Sequence, residues 1–366
     1  MDVLDLRKLN RATLARQGLL ERSREDVAAV VKRAGGIQAQ GPSQAMIGLW
    51  SRIEGFRRAQ LVEAAVAGKV VRGTTMHGTL HLHEVDDYRA VRPAIQPLLD
   101  SVARSLARRY DADALDEALQ LGRELLERQP MPIGALKRAL KERCRDIDPQ
   151  ALGNFVRHAV PLLIVPDPEV PNGWRSNVAP FTPATALIGG RLAAGPNPAL
   201  LVRRFFESLG PGTVADAQAW SGISGLKASV TSMVDAGELI EVATFEGATM
   251  FDLPHAPRPD GDIPAGVRYL PMWDNLLLSH RDRSRVVDPA FKPYIASRNG
   301  MPPPTYLVDG FVHGLWTCAR SGDVATLQLA PFAPIPAWAQ EPLVREGEAL
   351  LGFLEPGAGT RVVRLG

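Results

Sequence analysis

The sequence predicts an α+β chain, with three tandem winged-helix units followed by a β-rich, barrel-like C-terminal unit. Three observations carry this reading. Short helices with apolar residues at three- and four-residue spacing close into a short ribbon of β-branched residues and glycines, the layout of a winged helix. That layout recurs twice, with Met131-Pro132-Ile133 and Pro211-Gly212-Thr213 at equivalent places just before a short helix. Beyond Arg268 short strands are split by Asp309-Gly310 and Ser321-Gly322-Asp323, and Asp-Gly between apolar runs is a hairpin signal. The boundaries read as 1–110, 111–190, 191–262 and 263–366.

Taken in order, residues 3–20 and 23–34 have helical periodicity, and Gly35 and Gly36 stop the second helix. Helices are expected at 43–50 and 58–68, then a two-stranded ribbon over 69–83 around Gly73 and Gly78. The helical stretch 84–129 breaks near Pro93 and again at Asp111. The second unit has helices at 132–143 and 149–160, with strands at 162–166 and 173–177 as its wing. The third has helices at 198–209, 213–220 and 226–235, and a wing over 238–245 and 248–253 that turns at Glu246-Gly247. The last unit has strands at 306–308, 311–316 and 325–329 and one helix at 342–354.

Composition narrows the function classes. A chain of 366 residues is too long for one small core. Its apolar fraction of 45% and charged fraction of 22% are those of a globular protein, not a disordered or fibrous one. A net charge of +2 permits nucleic-acid binding without arguing for it. Cys144 and Cys318 stand far apart with no CxxC spacing, which excludes a disulfide framework and argues against a zinc finger. The opening MDVLDLRKLN has no apolar core of a signal peptide, and no apolar run is long enough to span a membrane, so a soluble cytoplasmic protein is expected. There is no GxGxxG after a strand, no P-loop and no GxSxG. No cofactor and no metal are expected.

Three stretches have side chains suited to chemistry. Gln38-Ala39-Gln40 lies beside glycines, where backbone can approach a ligand. In an extended segment both glutamines face the same way and offer two carbonyl acceptors and two amide donors. The alternative is that they cap helices or face water. In His77-Gly78-Thr79-Leu80-His81-Leu82-His83 the alternate residues His77, Thr79, His81 and His83 share one face of a strand. Alternate imidazoles on a strand stand about 7 Å apart, which suits a DNA-facing wing better than zinc chelation. In His280-Arg281-Asp282-Arg283-Ser284-Arg285 an extended backbone lines up Arg281, Arg283 and Arg285 as a phosphate clamp. The alternative is a solvated loop with local ion pairs.

At this point the chain resembles a family. Ile37-Gln38-Ala39-Gln40 followed by Gly48-Leu49-Trp50 is similar to the AlkZ/YcaQ-type winged-helix DNA glycosylases. Further matches are His77-Gly78-Thr79-Leu80-His81, Asp274-Asn275-Leu276-Leu277-Leu278-Ser279-His280, Arg283-Ser284-Arg285-Val286-Val287-Asp288 and Leu307-Val308-Asp309-Gly310. They span almost the whole chain in the family's order. The resemblance implies three tandem winged helices with a C-terminal β-barrel, and Gln38 and Gln40 as the catalytic pair. The YcaQ-like branch has an acid at the second position, so Gln40 places the chain nearer the AlkZ-like branch. His77 departs from the arginine expected before Gly-Thr-Leu-His.

The resemblance further implies a monofunctional glycosylase excising N7-alkylated purines from double-stranded DNA, and leaves open bulky adducts and interstrand crosslinks. The expected DNA contacts are His77, Thr79, His81, His280, Arg281, Arg283 and Arg285. With no obvious dimerisation helix, a monomer is expected. The alternatives are a non-enzymatic winged-helix DNA-binding regulator and a protein–protein scaffold.

Overall fold

The computed structural model describes residues 3–175, 178–244, 247, 249–296 and 302–366, and the side chains of all of these except 106 and 107. Helix α1 (Leu6–Arg16) starts behind Asp5, whose carboxylate accepts the Lys8 N–H. It is shorter than the predicted 3–20 because Gly18, at φ 65°, turns the chain and Leu19 N–H bonds back to the Leu14 carbonyl. Helix α2 (Val27–Arg33) is capped by Asp26 and ends at Gly35 and Gly36, at φ 74° and 88°. Strand β1 (Ile37–Gln38), α3 (Pro42–Arg52) and α4 (Arg58–Val66) follow, then the ribbon β2 (Val70–Thr74) and β3 (Leu80–Glu84). The stretch after it is three helices: α5 (Val85–Ala94), α6 (Gln96–Ala107) and α7 (Ala112–Arg128). The breaks fall just past Pro93 and at Asp111, which caps α7 by accepting the Ala114 N–H.

Next come β4 (Met131–Pro132), α8 (Ile133–Arg143), α9 (Pro149–Ala159), β5 (Leu162–Ile164), β6 (Pro180–Pro183) and α10 (Ala184–Ile188). The strand expected at 173–177 is corrected to β6. Residues 173–175 are irregular and 176–177 lie outside the described residues. The Trp174 indole is buried and donates to the Ile164 carbonyl at 3.2 Å, so this segment tucks a side chain beneath β5 while β6 takes up its ladder. The strands join in one antiparallel sheet of order β1-β3-β2-β5-β6-β4. The ribbons expected of the first two units therefore meet edge to edge, at Gly73 and Leu163. A Cβ on Gly73 would lie 2.8 Å from Tyr88 and 2.9 Å from Leu163, so the joint needs glycine.

Helices α11 (Pro198–Leu209), α12 (Val214–Ser221) and α13 (Lys227–Asp235) precede the hairpin β7 (Ile240–Ala243) and β8 (Thr249–Asp252). Of the expected turn, Gly247 sits at φ 77°, while 245, 246 and 248 lie outside the described residues. The C-terminal part contains β9 (Val267–Leu270), α14 (Asn275–Leu278), α15 (Lys292–Ile295), β10 (Thr305–Val308), β11 (Phe311–Ser321), β12 (Val324–Pro331), α16 (Ala337–Leu354) and β13 (Thr360–Leu365). Asp309 and Gly310, both at positive φ, make the predicted hairpin turn between β10 and β11.

The expected barrel is corrected. The sheet is open, in the order β13-β12-β11-β10-β9. Helix α16 packs against β9, β12 and β13 and buries Leu343, Leu350 and Leu351, so the apolar face is covered by a helix and needs no closure. The mixed α and β character stands. One core runs from α2 through α9 into this sheet, and a second joins α5 and α6 to α11–α13. Among the described residues no helix is long and apolar enough to cross a membrane.

Candidate active site

Strand β1 pairs with β3 alone, Ile37 opposite Leu82 and Gln38 opposite His81. The segment stays extended past the strand, because Ala39 N–H bonds to the Leu80 carbonyl at 2.7 Å. Alternation then buries Ala39 fully and turns Gln38 and Gln40 to the other side. Gln38 is half-buried and Gln40 exposed. Both line a cleft of about 530 Å³ with His77, Thr79, Trp273, His280, Arg281 and Arg283. The Gln40 side-chain carbonyl accepts the Leu80 N–H at 3.3 Å.

Two stretches support this segment from behind. Asn275 donates its amide N–H to the carbonyls of Gly36 and Ala34, and its Oδ1 accepts the Gln38 N–H at 3.3 Å. Asp274, the residue before it, caps α14 and forks onto the buried Arg52 guanidinium with two 2.8 Å bonds. Arg52 in turn donates to Gln17 Oε1 at 3.2 Å. On the other side Arg72 donates to the carbonyls of Ala39 at 2.9 Å and Gln40 at 3.1 Å. Burial pushes its guanidinium down to about 10. Gly36 lets the chain pass the His83 ring, which a Cβ there would approach to 2.6 Å.

The histidine ribbon is not the four-residue face that was expected. A 3-10 turn, Met76–Gly78, interrupts the period of two, with His77 at φ 54°, so β3 starts only at Leu80. His77 is exposed and reaches the cleft, and Thr79 lies on its edge. His81, opposite Gln38 in the β1–β3 ladder, is buried and donates Nδ1–H to the Thr79 carbonyl at 3.2 Å. Burial first, then the neighbouring His83, drops its imidazole to about 3, so it is neutral and has no phosphate-binding charge. His83 is buried too, 2.9 Å from Thr75 Oγ1 and 3.6 Å from Asp87, which Arg204 meets at 2.6 Å. Among the described residues no group of three or more His, Cys, Asp or Glu is arranged to hold a metal ion.

The arginine loop also departs from an extended clamp. The N–H groups of Val286 and Val287 both bond to the Arg283 carbonyl, so the backbone turns instead of alternating. Arg281 stays exposed, with its N–H on Asp216 at 2.9 Å, and Arg283 is half-buried on the cleft wall. Arg285 is swung inward, 3% exposed, and donates to the Pro211 carbonyl at 2.6 Å and to Thr13 Oγ1 at 3.3 Å. Burial pushes its guanidinium down to about 10. His280 is a buried part of the wall and donates Nε2–H to the Leu209 carbonyl at 3.1 Å. Burial holds it well below the usual imidazole range. Of the seven expected DNA contacts, His77, Thr79, Arg281 and Arg283 face the cleft with solvent-accessible surface, while His81, His280 and Arg285 are built into the scaffold.

Sequence reasoning passed over Arg72 and took Trp273, with the other tryptophans, for a core residue; Trp273 is half-buried instead. Arg72 left one signal, a lone charge in the apolar run Val70-Val71-Arg72-Gly73-Thr74, because an unpaired charge on a buried strand is rare without a role. Trp273 lines the cleft at φ 60°, a conformation that is strained for an indole residue and clusters at functional sites. The described side chains lining the cleft include two amides, two guanidiniums, an exposed imidazole and an indole, and no carboxylate. Such a surface attracts a polyanion and can orient water without deprotonating it.

A family model described as DNA glycosylase AlkZ-like matches residues 31–353. Among solved structures the chain is similar to the DNA glycosylase AlkZ of Streptomyces sahachiroi, with a TM-score of 0.79 at 20% identity over 99% of this chain and 100% of that one. At that identity the likeness speaks for the fold. No curated protein matches the chain.

Proposed function

The chain belongs to the AlkZ-like DNA glycosylase family, and on that footing we propose that it excises N7-alkylated purines from double-stranded DNA, with Gln38 and Gln40 holding the attacking water. As a glycosylase it hydrolyses N-glycosidic bonds. An N7-alkylpurine is cationic and leaves readily, so the departing base needs no strong acid. The bond opens through an oxocarbenium-like sugar. An amide is a poor base, but its carbonyl accepts a hydrogen bond from water and points a dipole at developing positive charge. The observation that carries the reading is the convergence of both glutamines with Arg281 and Arg283 on one cleft whose described lining side chains include no carboxylate.

Arg281 and Arg283 hold backbone phosphates, and His77 and Thr79 probe the groove beside the lesion. The buried Arg285, His81 and His280 support that surface. No lysine lines the cleft among the described residues, which fits water as the nucleophile and an abasic site as the product. An open cleft accommodates a bulky adduct or a crosslink better than a closed base-flipping pocket does. The units 1–110, 111–190 and 191–262 act as winged helices around the duplex, with 263–366 as the buttress, and the protein works as a monomer without a cofactor.

The test is base release from a duplex with one N7-methylguanine. Gln38→Ala and Gln40→Ala are each expected to slow single-turnover release by about 10²-fold, the scale for removing one transition-state dipole. Duplex affinity stays within about twofold, because neither glutamine neutralises a phosphate. Full activity in both variants overturns the glutamine assignment. No release by the wild type from this or a bulkier N7 adduct overturns the substrate class.

A further inference from the structure

Strand β1 is an edge strand of two residues with a single ladder partner. Such a segment has little rigidity of its own, yet Gln38 on it and Gln40 just past it must hold a water in place. Arg72 is 4% exposed, and among the described residues no carboxylate pairs with it. Its Nε donates to the Ala39 carbonyl at 2.9 Å and its Nη2 to the Gln40 carbonyl at 3.1 Å. Its guanidinium lies 5.7 Å from the Trp174 ring centroid. Burying a guanidinium without a carboxylate is costly, and an apolar residue would fill the same place on β2 without that cost. Two adjacent carbonyls held by one planar fork is an arrangement that lysine cannot reproduce.

At the other end of the segment Asn275 holds the Gly36 carbonyl and the Gln38 N–H. The peptide groups flanking both glutamines are thus pinned by two side chains from outside the strand, 33 and 239 residues away in sequence. Neither clamp uses a glutamine side chain; Gln40 Oε1 takes the Leu80 N–H at 3.3 Å, which leaves its second lone pair and its amide N–H groups, with the Gln38 amide, to the cleft.

We propose that Arg72 is a positioning residue for the glutamine pair, with Asn275 as its counterpart at the Gly36 end. This rests on the reading that Gln38 and Gln40 hold the attacking water. Arg72 touches no substrate. It fixes where the two amides point, and misplacement by about 1 Å costs on the order of 10²-fold in rate.

The experiment compares wild type, Arg72→Met, Arg72→Lys and Arg72→Ala in three measurements: thermal midpoint, amide exchange over residues 36–41, and single-turnover release of N7-methylguanine. Arg72→Met is expected to stay folded with a melting temperature near wild type, since removal of a costly buried charge offsets the two carbonyls left without a partner. Exchange over 36–41 should rise about tenfold or more with the rest of the chain unchanged. Release should slow by about 10- to 100-fold at unchanged duplex affinity. Arg72→Lys falls between the two, and guanidinium ion added to Arg72→Ala restores part of the rate.

Unchanged exchange over 36–41 in a folded variant overturns the clamp. Faster exchange with an unchanged release rate overturns the positioning role. Should Arg72→Met not fold, Arg72→Lys decides by the same two readouts. If wild type releases no base, the reading of the glutamines falls, while the exchange measurement still decides whether Arg72 holds the strand.

Discussion

The ribbon β2–β3 and the hairpin β7–β8 come from the same sequence layout, short helices followed by two short strands, yet they end differently. Residues of β2 are buried throughout, and β3 is buried except at its last residue. The ribbon is flanked by β1 on one side and β5 on the other. The hairpin β7–β8 is a two-stranded sheet, mostly half-buried or exposed, touched by single bridges at Leu4–Thr244 and Gly212–Phe251. It is anchored by charge instead. Asp252 is fully buried and takes the Arg16 fork at 2.7 and 2.9 Å, with Arg258 on the same carboxylate. The difference teaches what the glutamine strand needs. A two-residue strand gains a fixed position only when its partner is itself locked in a sheet.

The largest expected effect separates the two anchors. Arg16→Met leaves the buried Asp252 with Arg258 and the Leu253 N–H and should destabilise the protein by about 3 kcal/mol, the low end for breaking a buried pair. Urea unfolding measures it, and amide exchange should rise first in 240–252. A loss below about 1 kcal/mol would mean that the hairpin is held by its apolar contacts and not by this charge.

A smaller effect tests the other anchor. Gly73→Ala places a methyl 2.8 Å from Tyr88, 2.9 Å from Leu163 and 3.2 Å from the Leu162 carbonyl. Overpacking of this kind costs about 1–3 kcal/mol. The urea midpoint should fall, and base release should fall with it as β2 shifts and carries β3, the ladder partner of β1. A neutral Gly73→Ala would show slack where β2 meets β5, and would remove the contrast between the ribbons.

The smallest effect is a matter of pH. His81 is buried and neutral, with its imidazole lowered to about 3. The unfolded chain binds a proton below about pH 6.5 and the folded chain does not, so stability is complete above that pH and declines as pH falls towards 3. The slope from this one group is about 1.4 kcal/mol per pH unit at most. His81→Asn should therefore lose less stability than wild type between pH 7 and pH 5. Equal losses would place another group behind the acid sensitivity.

Much of this was legible in the chain. The helices expected at 149–160, 198–209 and 213–220 are α9, α11 and α12, and each starts behind a side chain that accepts a backbone N–H, from Asp148, Asn197 and Thr213. Asp309-Gly310 turns the hairpin it signals. Alternation put Gln38 and Gln40 on one side, and the cleft has both on its wall. The failures share a cause. The face predicted for His77, Thr79, His81 and His83 assumed an uninterrupted strand, and the Met76–Gly78 turn breaks it. The clamp of Arg281, Arg283 and Arg285 assumed an extended loop, and the turn at Arg283 sends the last of them inward to the Pro211 carbonyl. Arg72 was passed over because its role depends on the Ala39 and Gln40 carbonyls, which only the fold brings beside it.

The sequence by itself determined where helices start and stop, where chains reverse, and which side chains alternate together, because those signals act over a few bonds of backbone. The tertiary structure decided which ribbon is buried, whether the last sheet closes, and which charged groups meet solvent. Those outcomes depend on partners hundreds of residues away, as Asn275 is from Gly36, and burial of a side chain is a property of what packs over it, not of its neighbours in the chain.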